Sequence, residues 1–411
     1  MNRSQFAKLL ATGPIAIIIA IAPVYGASSA SLSSLPLLQA RNLEYVGAFR
    51  VPDGDSPDAQ GFSFGGGPMA YNPLHNSLFI GTLDNLLAEV SIPTPVVSAD
   101  VSVLSFATLL QPFADPTEGT IGNMSGGDLV NLGGLLVSNG KLYGTAYLYY
   151  DADGSQRASH YTRDLSLNAP SFSGFHSLWQ ANLTGFVSGY LATVPDDWQG
   201  ALGGAAITGQ CCIPIVSRTS WGPDAVSWNP SDVVGDIELI PATPLVLYTA
   251  DHPTLGQWDE SNPVYGGTTQ MGGVALVSGT RTALYFGSNG QGEFCYGPGT
   301  DDPNMAGQPD DEGGSYCYDP VNMNKGPHAY PYNFQIWAYD LNDLAAVKAG
   351  TMQMWDVRPY GVWQFALPLN YGVTLGGVAY DANRQIIYVS QLLADQDGYA
   401  YRPLIHTFKI R

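Results

Sequence analysis

Two copies of Asp-x-Asp-Gly stand far apart in the chain, Asp151/Asp153/Gly154 and Asp395/Asp397/Gly398. Two carboxylates flanking one residue, followed by a glycine that permits a sharp turn, can wrap a hard cation. These four aspartates are therefore the candidate metal ligands, and Ca²⁺ is the one cofactor the pattern suggests. The later ligands of an EF-hand loop are missing, and Asp and Gly are also what a hairpin turn uses. Asp128, Asp197 and Glu260 are the acids placed where paired carboxylates would act as acid and base or nucleophile, and they are the candidate catalytic residues. Around them fall Trp198, Trp221, Trp258, Tyr265 and Tyr371, with Asp84 and Asn289. Flat rings stack on C–H faces and carboxylates accept hydrogen bonds from hydroxyls, so this set reads as a binding site for a neutral polyol. The histidines are scattered with no His-x-x-x-His pair, so a zinc or iron centre is not expected. Gly61 to Gly65 matches a nucleophile elbow in letters only, because it precedes a strand rather than a helix.

The elements that must position these residues are repeated. Leu375 to Gly398 reads as a Gly-Gly pair, a short apolar strand, a polar turn (Asp381, Ala382, Asn383, Arg384), a second β-rich strand and an acidic loop. Four weaker copies lie upstream, and the first apolar residue after the glycines is Met69, Leu135, Ala205, Val274 and Val378 in turn. A third and a fourth strand candidate follow each pair. The repeat predicts an all-β fold, a five-bladed β-propeller of four-stranded antiparallel blades. The last unit stops after its third strand, so the N-terminal strand Leu43 to Val51 is expected to complete that blade and close the ring. The Gly-Gly pairs are read as places of close backbone approach between crowded inner strands. In this topology the second-to-third and fourth-to-first connections share one face, which holds the candidate site. The predicted ring resembles, in blade count, the architecture shared by furanosidase-type glycoside hydrolases and sugar-binding lectins. No residue roles are carried over from them.

Residues 1–26 carry Arg3 and Lys8, an apolar run and then small residues, the pattern of a secretory signal peptide. Residues 27–41 read as a linker and 42–411 as a single domain. The chain has 16 Lys+Arg against 35 Asp+Glu, and removing Arg3 and Lys8 leaves 14 against 35. Such a surface repels phosphate backbones and anionic lipid, so nucleic acid is excluded as a partner, and no membrane insertion is expected after signal cleavage. The expected location is secreted or periplasmic. An insertion at about 293–331 begins EFCYG and returns as SYCYDP, which points to a Cys295–Cys317 disulfide at its base. Cys211 and Cys212 are adjacent, and a strained vicinal disulfide is favoured over two free thiols.

The expectation is thus an exported protein that binds a neutral carbohydrate on an acidic, aromatic face, with hydrolysis by paired carboxylates as the available chemistry. The alternative is a non-catalytic extracellular or envelope scaffold that binds a protein partner.

Overall fold

The computed structural model describes residues 31–53, 61–124, 129–149, 151, 154–210, 222–233, 235, 237–249, 251–260, 264–368 and 374–411. The expected signal peptide at 1–26 and the Cys211/Cys212 pair lie outside the described residues. No helix among the described residues is long and apolar enough to cross a membrane.

The chain opens with β1 (Leu43–Arg50) and continues through β2 (Met69–Asn72), β3 (Ser77–Gly81), β4 (Leu87–Ser91) and β5 (Leu109–Ala114). Next come β6 (Val130–Ser138), β7 (Lys141–Leu148), β8 (His160–Asp164) and β9 (Ser173–Leu178). A third group holds β10 (Leu191–Thr193), the helix α1 (Asp196–Leu202), β11 (Ala206–Thr208), β12 (Ala225–Trp228), β13 (Leu239–Ile240) and β14 (Ala242–Val246). A short hairpin, β15 (Asp251–His252) and β16 (Gly256–Gln257), leads to β17 (Gln270–Leu276) and β18 (Thr282–Gly290). The insertion contributes β19 (Cys295–Thr300), β20 (Cys317–Tyr318) and β21 (Lys325–His328). It returns to β22 (Tyr332–Asp340), followed by α2 (Leu341–Lys348), β23 (Gly361–Phe365), β24 (Leu375–Asp381), β25 (Ile386–Asp397) and β26 (Ala400–Ile410).

The larger sheets have the orders β2-β3-β4-β5, β13-β9-β8-β7-β6, β10-β11-β12-β14, β17-β18-β22-β23 and β1-β26-β25-β24. First strands of neighbouring sheets lie side by side: β2 against β24 and β6, β10 against β6 and β17, and β17 against β24. Glycines sit at these contacts. A Cβ on Gly272 would fall 2.1 Å from the Gly376 carbonyl oxygen, and one on Gly133 would fall 2.0 Å from that of Ser188. The tight turn between β6 and β7 uses Asn139 and Gly140, both at positive φ, as a two-residue hairpin of this twist requires. Each large apolar cluster fills the space between two adjacent sheets; Trp198, Tyr285 and Trp337 share one of them.

The expected class, a five-bladed β-propeller of four-stranded blades, is corrected to an all-β fold of separate open sheets. Among the described residues no sheet closes or curls on itself, and the larger sheets are not equal units. One gains a fifth strand because β13, from the third group, pairs in parallel with β9. Two further small sheets stand apart, β15-β16 and β20-β19-β21.

The third repeat is also read out of register. Its Gly-Gly pair, Gly203 and Gly204, precedes β11, which is the second strand of its sheet. The first strand is β10, which has no such pair, and α1 fills the connection between them.

Cys295 and Cys317 are disulfide-bonded, with Cα atoms 5.7 Å apart. A buried cluster holds the other side of the insertion. Asp319 Oδ2 lies 2.7 Å from His328 Nδ1 and accepts from the Tyr332 hydroxyl at 2.6 Å.

Candidate functional site

All five apolar residues that follow Gly-Gly pairs, Met69, Leu135, Ala205, Val274 and Val378, line one cavity of about 460 Å³. In the third sheet, where Ala205 precedes the second strand, the first strand β10 adds Leu191 to the wall. These walls are apolar because the first strands reach the cavity with runs of hydrocarbon residues, such as Leu135-Leu136-Val137 and Val274-Ala275-Leu276. Polar groups gather where the first strands run into their connections: Asn139, Asp196, Gln199, Ser278 and Asn383. Asp196 and Gln199 belong to the first turn of α1, and the Gln199 amide donates to Asp196 Oδ1 at 2.9 Å.

Beside them Asp381 ends β24. Its Oδ1 accepts the backbone N–H groups of Asn383 at 3.0 Å and Arg384 at 3.2 Å, an Asx turn that starts the β24–β25 hairpin. Tyr71 and Tyr380 add two rings to the same end. The Tyr71 hydroxyl donates to Asn76 Oδ1 at 3.2 Å, and burial, reinforced by the charge of Asp381, pushes its pKa up to about 12.

The cavity opens at the end of the strands that carries the first-to-second connections. Asp84, Asp151, Asn289 and Asp395 lie at the other end, in or beside second-to-third connections. Asp84 is exposed in the turn after β3, whereas Asn289 is buried in β18 and accepts from Thr269 Oγ1 at 2.6 Å. Asp197 and Trp198 are on α1 and so belong to the cavity end, away from that group. Asp197 is exposed there, and Glu260 is exposed beyond the β15–β16 hairpin. Asp128, Asp153, Trp221 and Tyr371 lie outside the described residues.

The aromatic, carbohydrate-binding face expected from sequence is corrected on these grounds. Trp198 is only 1% exposed, and its Nε1 donates to the Thr280 carbonyl. Tyr265 is fully buried, with its hydroxyl donating to the Gly256 carbonyl. Trp258 is half-buried with its ring 5.0 Å from that of Phe294, edge to face. Rings spent on internal packing present no stacking surface to a ligand.

The two Asp-x-Asp-Gly copies differ. Asp151 Oδ1 accepts from the Ser155 backbone N–H at 2.6 Å, which orders its own loop. Asp395 accepts two hydrogen bonds from Arg50, at 2.8 and 2.9 Å, while Arg402 pairs with Asp53 and Asp397 and lies 3.6 Å from Asp395. A carboxylate whose charge is already met by one guanidinium on both oxygens, with a second arginine 3.6 Å away, would bring a cation up against two positive charges. Among the described residues no three His, Cys, Asp or Glu side chains converge as metal ligands.

Asp381 and Tyr71 are the site residues that sequence reading passes over. Asp381 looks like any turn aspartate, and what distinguishes it is its burial beside a cavity, which spacing does not encode.

No family model and no curated protein matches this chain. Solved structures similar to it include a luciferin-regenerating enzyme, at 8% identity and a TM-score of 0.37, covering 89% of this chain and 94% of that one. Another is an exo-1,5-α-L-arabinanase from a bovine ruminal metagenomic library, at 10% identity and a TM-score of 0.40, covering 84% and 93%. Likenesses this weak assign neither a named fold nor an activity.

Proposed function

We propose that this chain binds a small organic molecule with a largely apolar body in the cavity at the end of the first strands. The observation that carries this reading is the composition of the walls. Five first strands each supply an apolar side chain to one space of about 460 Å³, and polar groups gather at one end. A concave, mostly apolar space with a few convergent polar groups is the usual form of a small-ligand site, and its volume falls within the usual range. The apolar walls supply affinity by removing ligand surface from water, at about 25 cal/mol per Å². The polar end fixes orientation.

A fragment of nine heavy atoms such as 2-phenylethanol should bind with a Kd of about 1 mM, which is about 0.45 kcal/mol per heavy atom and well inside the ceiling for small ligands. Saturation-transfer NMR on the full chain measures it. Ser138, half-buried at the end of β6, lines the cavity, and Ser138→Trp should abolish the signal with Tm little changed. Fragment binding that survives this block, or no binding to the wild type, would sink the proposal.

A further inference from the structure

We infer that the ligand of this cavity carries a protonated amine, and that Asp381 receives it. The inference rests on the small-molecule reading above and adds the chemical class. Asp381 is 1% exposed and lines the cavity. Its Oδ1 is fully used by the Asn383 and Arg384 N–H groups. Its Oδ2 is buried and has no hydrogen-bond partner among the described residues.

The nearest cation is Arg384, whose Nη1 lies 3.8 Å from that oxygen. This is beyond hydrogen-bond distance, and the Arg384 side chain is 54% exposed and hydrogen-bonded to Asn76. Beyond the effect of burial, Asp381 is close enough to the Tyr71 hydroxyl to raise its pKa by charge and hydrogen bonding. The acceptor within hydrogen-bond distance of that hydroxyl is Asn76 Oδ1, however, which leaves Oδ2 without a described donor in bonding range. A buried carboxylate oxygen without a donor is costly, and such groups in folded proteins normally meet a partner.

An ammonium fits this oxygen better than other donors. It brings three N–H groups and a full positive charge, and charge-assisted hydrogen bonds are about twice as strong as neutral ones. The rings of Tyr71 and Tyr380 line the same end, where aromatic faces favour a cation. Asp196 adds a second negative charge to the cavity wall. An anionic ligand would meet two carboxylates, and a purely apolar one would leave Oδ2 unmatched.

The test compares three probes of one shape at neutral pH and low salt: 2-phenylethylamine, 2-phenylethanol and 3-phenylpropanoate. Each is titrated into the full chain by calorimetry or ligand-observed NMR. The amine should bind about tenfold more tightly than the alcohol, and the carboxylate should bind most weakly. Asp381→Asn, which keeps the Oδ1 acceptor of the turn, should bring the amine down to the alcohol's level. Arg384→Ala, which removes a competing positive charge at an exposed position, should raise amine affinity about threefold. If amine and alcohol bind the wild type equally, the amine inference is overturned while the cavity reading stands. If none of the three binds, both fall. Because the wild-type ranking is itself decisive, the outcome does not depend on the variants folding.

Discussion

Asp395 shows how far a residue's role can depart from its local pattern. By spacing it is the twin of Asp151, yet its oxygens are held by Arg50, 345 positions away, with Arg402 close by. The Arg50 guanidinium also lies 4.1 Å over the Phe106 ring, so the pair is clamped on two sides. Removing one partner of a buried ion pair leaves the other charge uncompensated, which typically costs 3–5 kcal/mol, roughly. Asp395→Ala should therefore lower stability in urea by about 3 kcal/mol or more, whereas Asp397→Ala, at an exposed carboxylate, should change it by less than about 1 kcal/mol. Equal losses from the two changes would contradict this assignment. That Asp395 is an acid in a hairpin was legible in the sequence. Arg402 faces Asp395 across the same β25–β26 hairpin and is a local neighbour, but Arg50 was not legible, since nothing near it announces a contact with the far end of the chain.

At the scale of elements, Gly-Gly pairs mark first strands in four sheets and mislead in the third. The same dipeptide at Gly203 and Gly204 serves another purpose. Gly203 ends α1 in a left-handed conformation, and a Cβ on Gly204 would meet the Trp228 backbone at 2.4 Å. Close approach is the common cause, but which neighbour approaches is a tertiary fact. Gly272→Ala should push β17 off β24 and destabilise by about 1–3 kcal/mol, the usual cost of overpacking, whereas Gly200→Ala, at an exposed position of α1 where a Cβ meets nothing, should cause no loss. A Gly272→Ala protein as stable as wild type would mean that the two strands are not packed as described. The insertion is anchored independently. Cys295 and Cys317 are separated by 22 positions, so replacing both with Ser should cost ~3 kcal/mol in the chain-entropy picture. Thermal unfolding with and without reductant measures it.

The molecule as a whole should be acid-sensitive well before its carboxylates titrate. Burial lowers the His406 pKa from 6.5 to about 3, and burial aided by the charge of His176 does the same for His160. A histidine whose folded pKa is depressed is neutral in the folded state while the unfolded chain takes up a proton. Its contribution is therefore complete above about pH 6.5 and declines as pH falls towards 3. At about 1.4 kcal/mol per pH unit, each should remove about 2 kcal/mol between pH 6.5 and 5. Tm measured from pH 7.5 to 5 should fall steadily, and His406→Asn should flatten the slope. A flat Tm profile over that range would show that neither ring is buried in its neutral form.

What the sequence determined by itself is what local periodicity carries: alternating strands, Asp- and Gly-rich turns, an all-β chain, and a Cys295–Cys317 bridge signalled by matching aromatic flanks in an inserted loop. These depend on residues a few positions apart, or on a pattern repeated often enough to average out noise. The tertiary structure alone decided which end of the strands holds a cavity, that the tryptophan of α1 is core rather than surface, and that Asp381 rather than Asp395 keeps a buried oxygen out of hydrogen-bond reach of any described donor. The reason is physical. Burial, and the pairing of a charge with a partner hundreds of residues away, belong to the packed sheets and not to any stretch of chain.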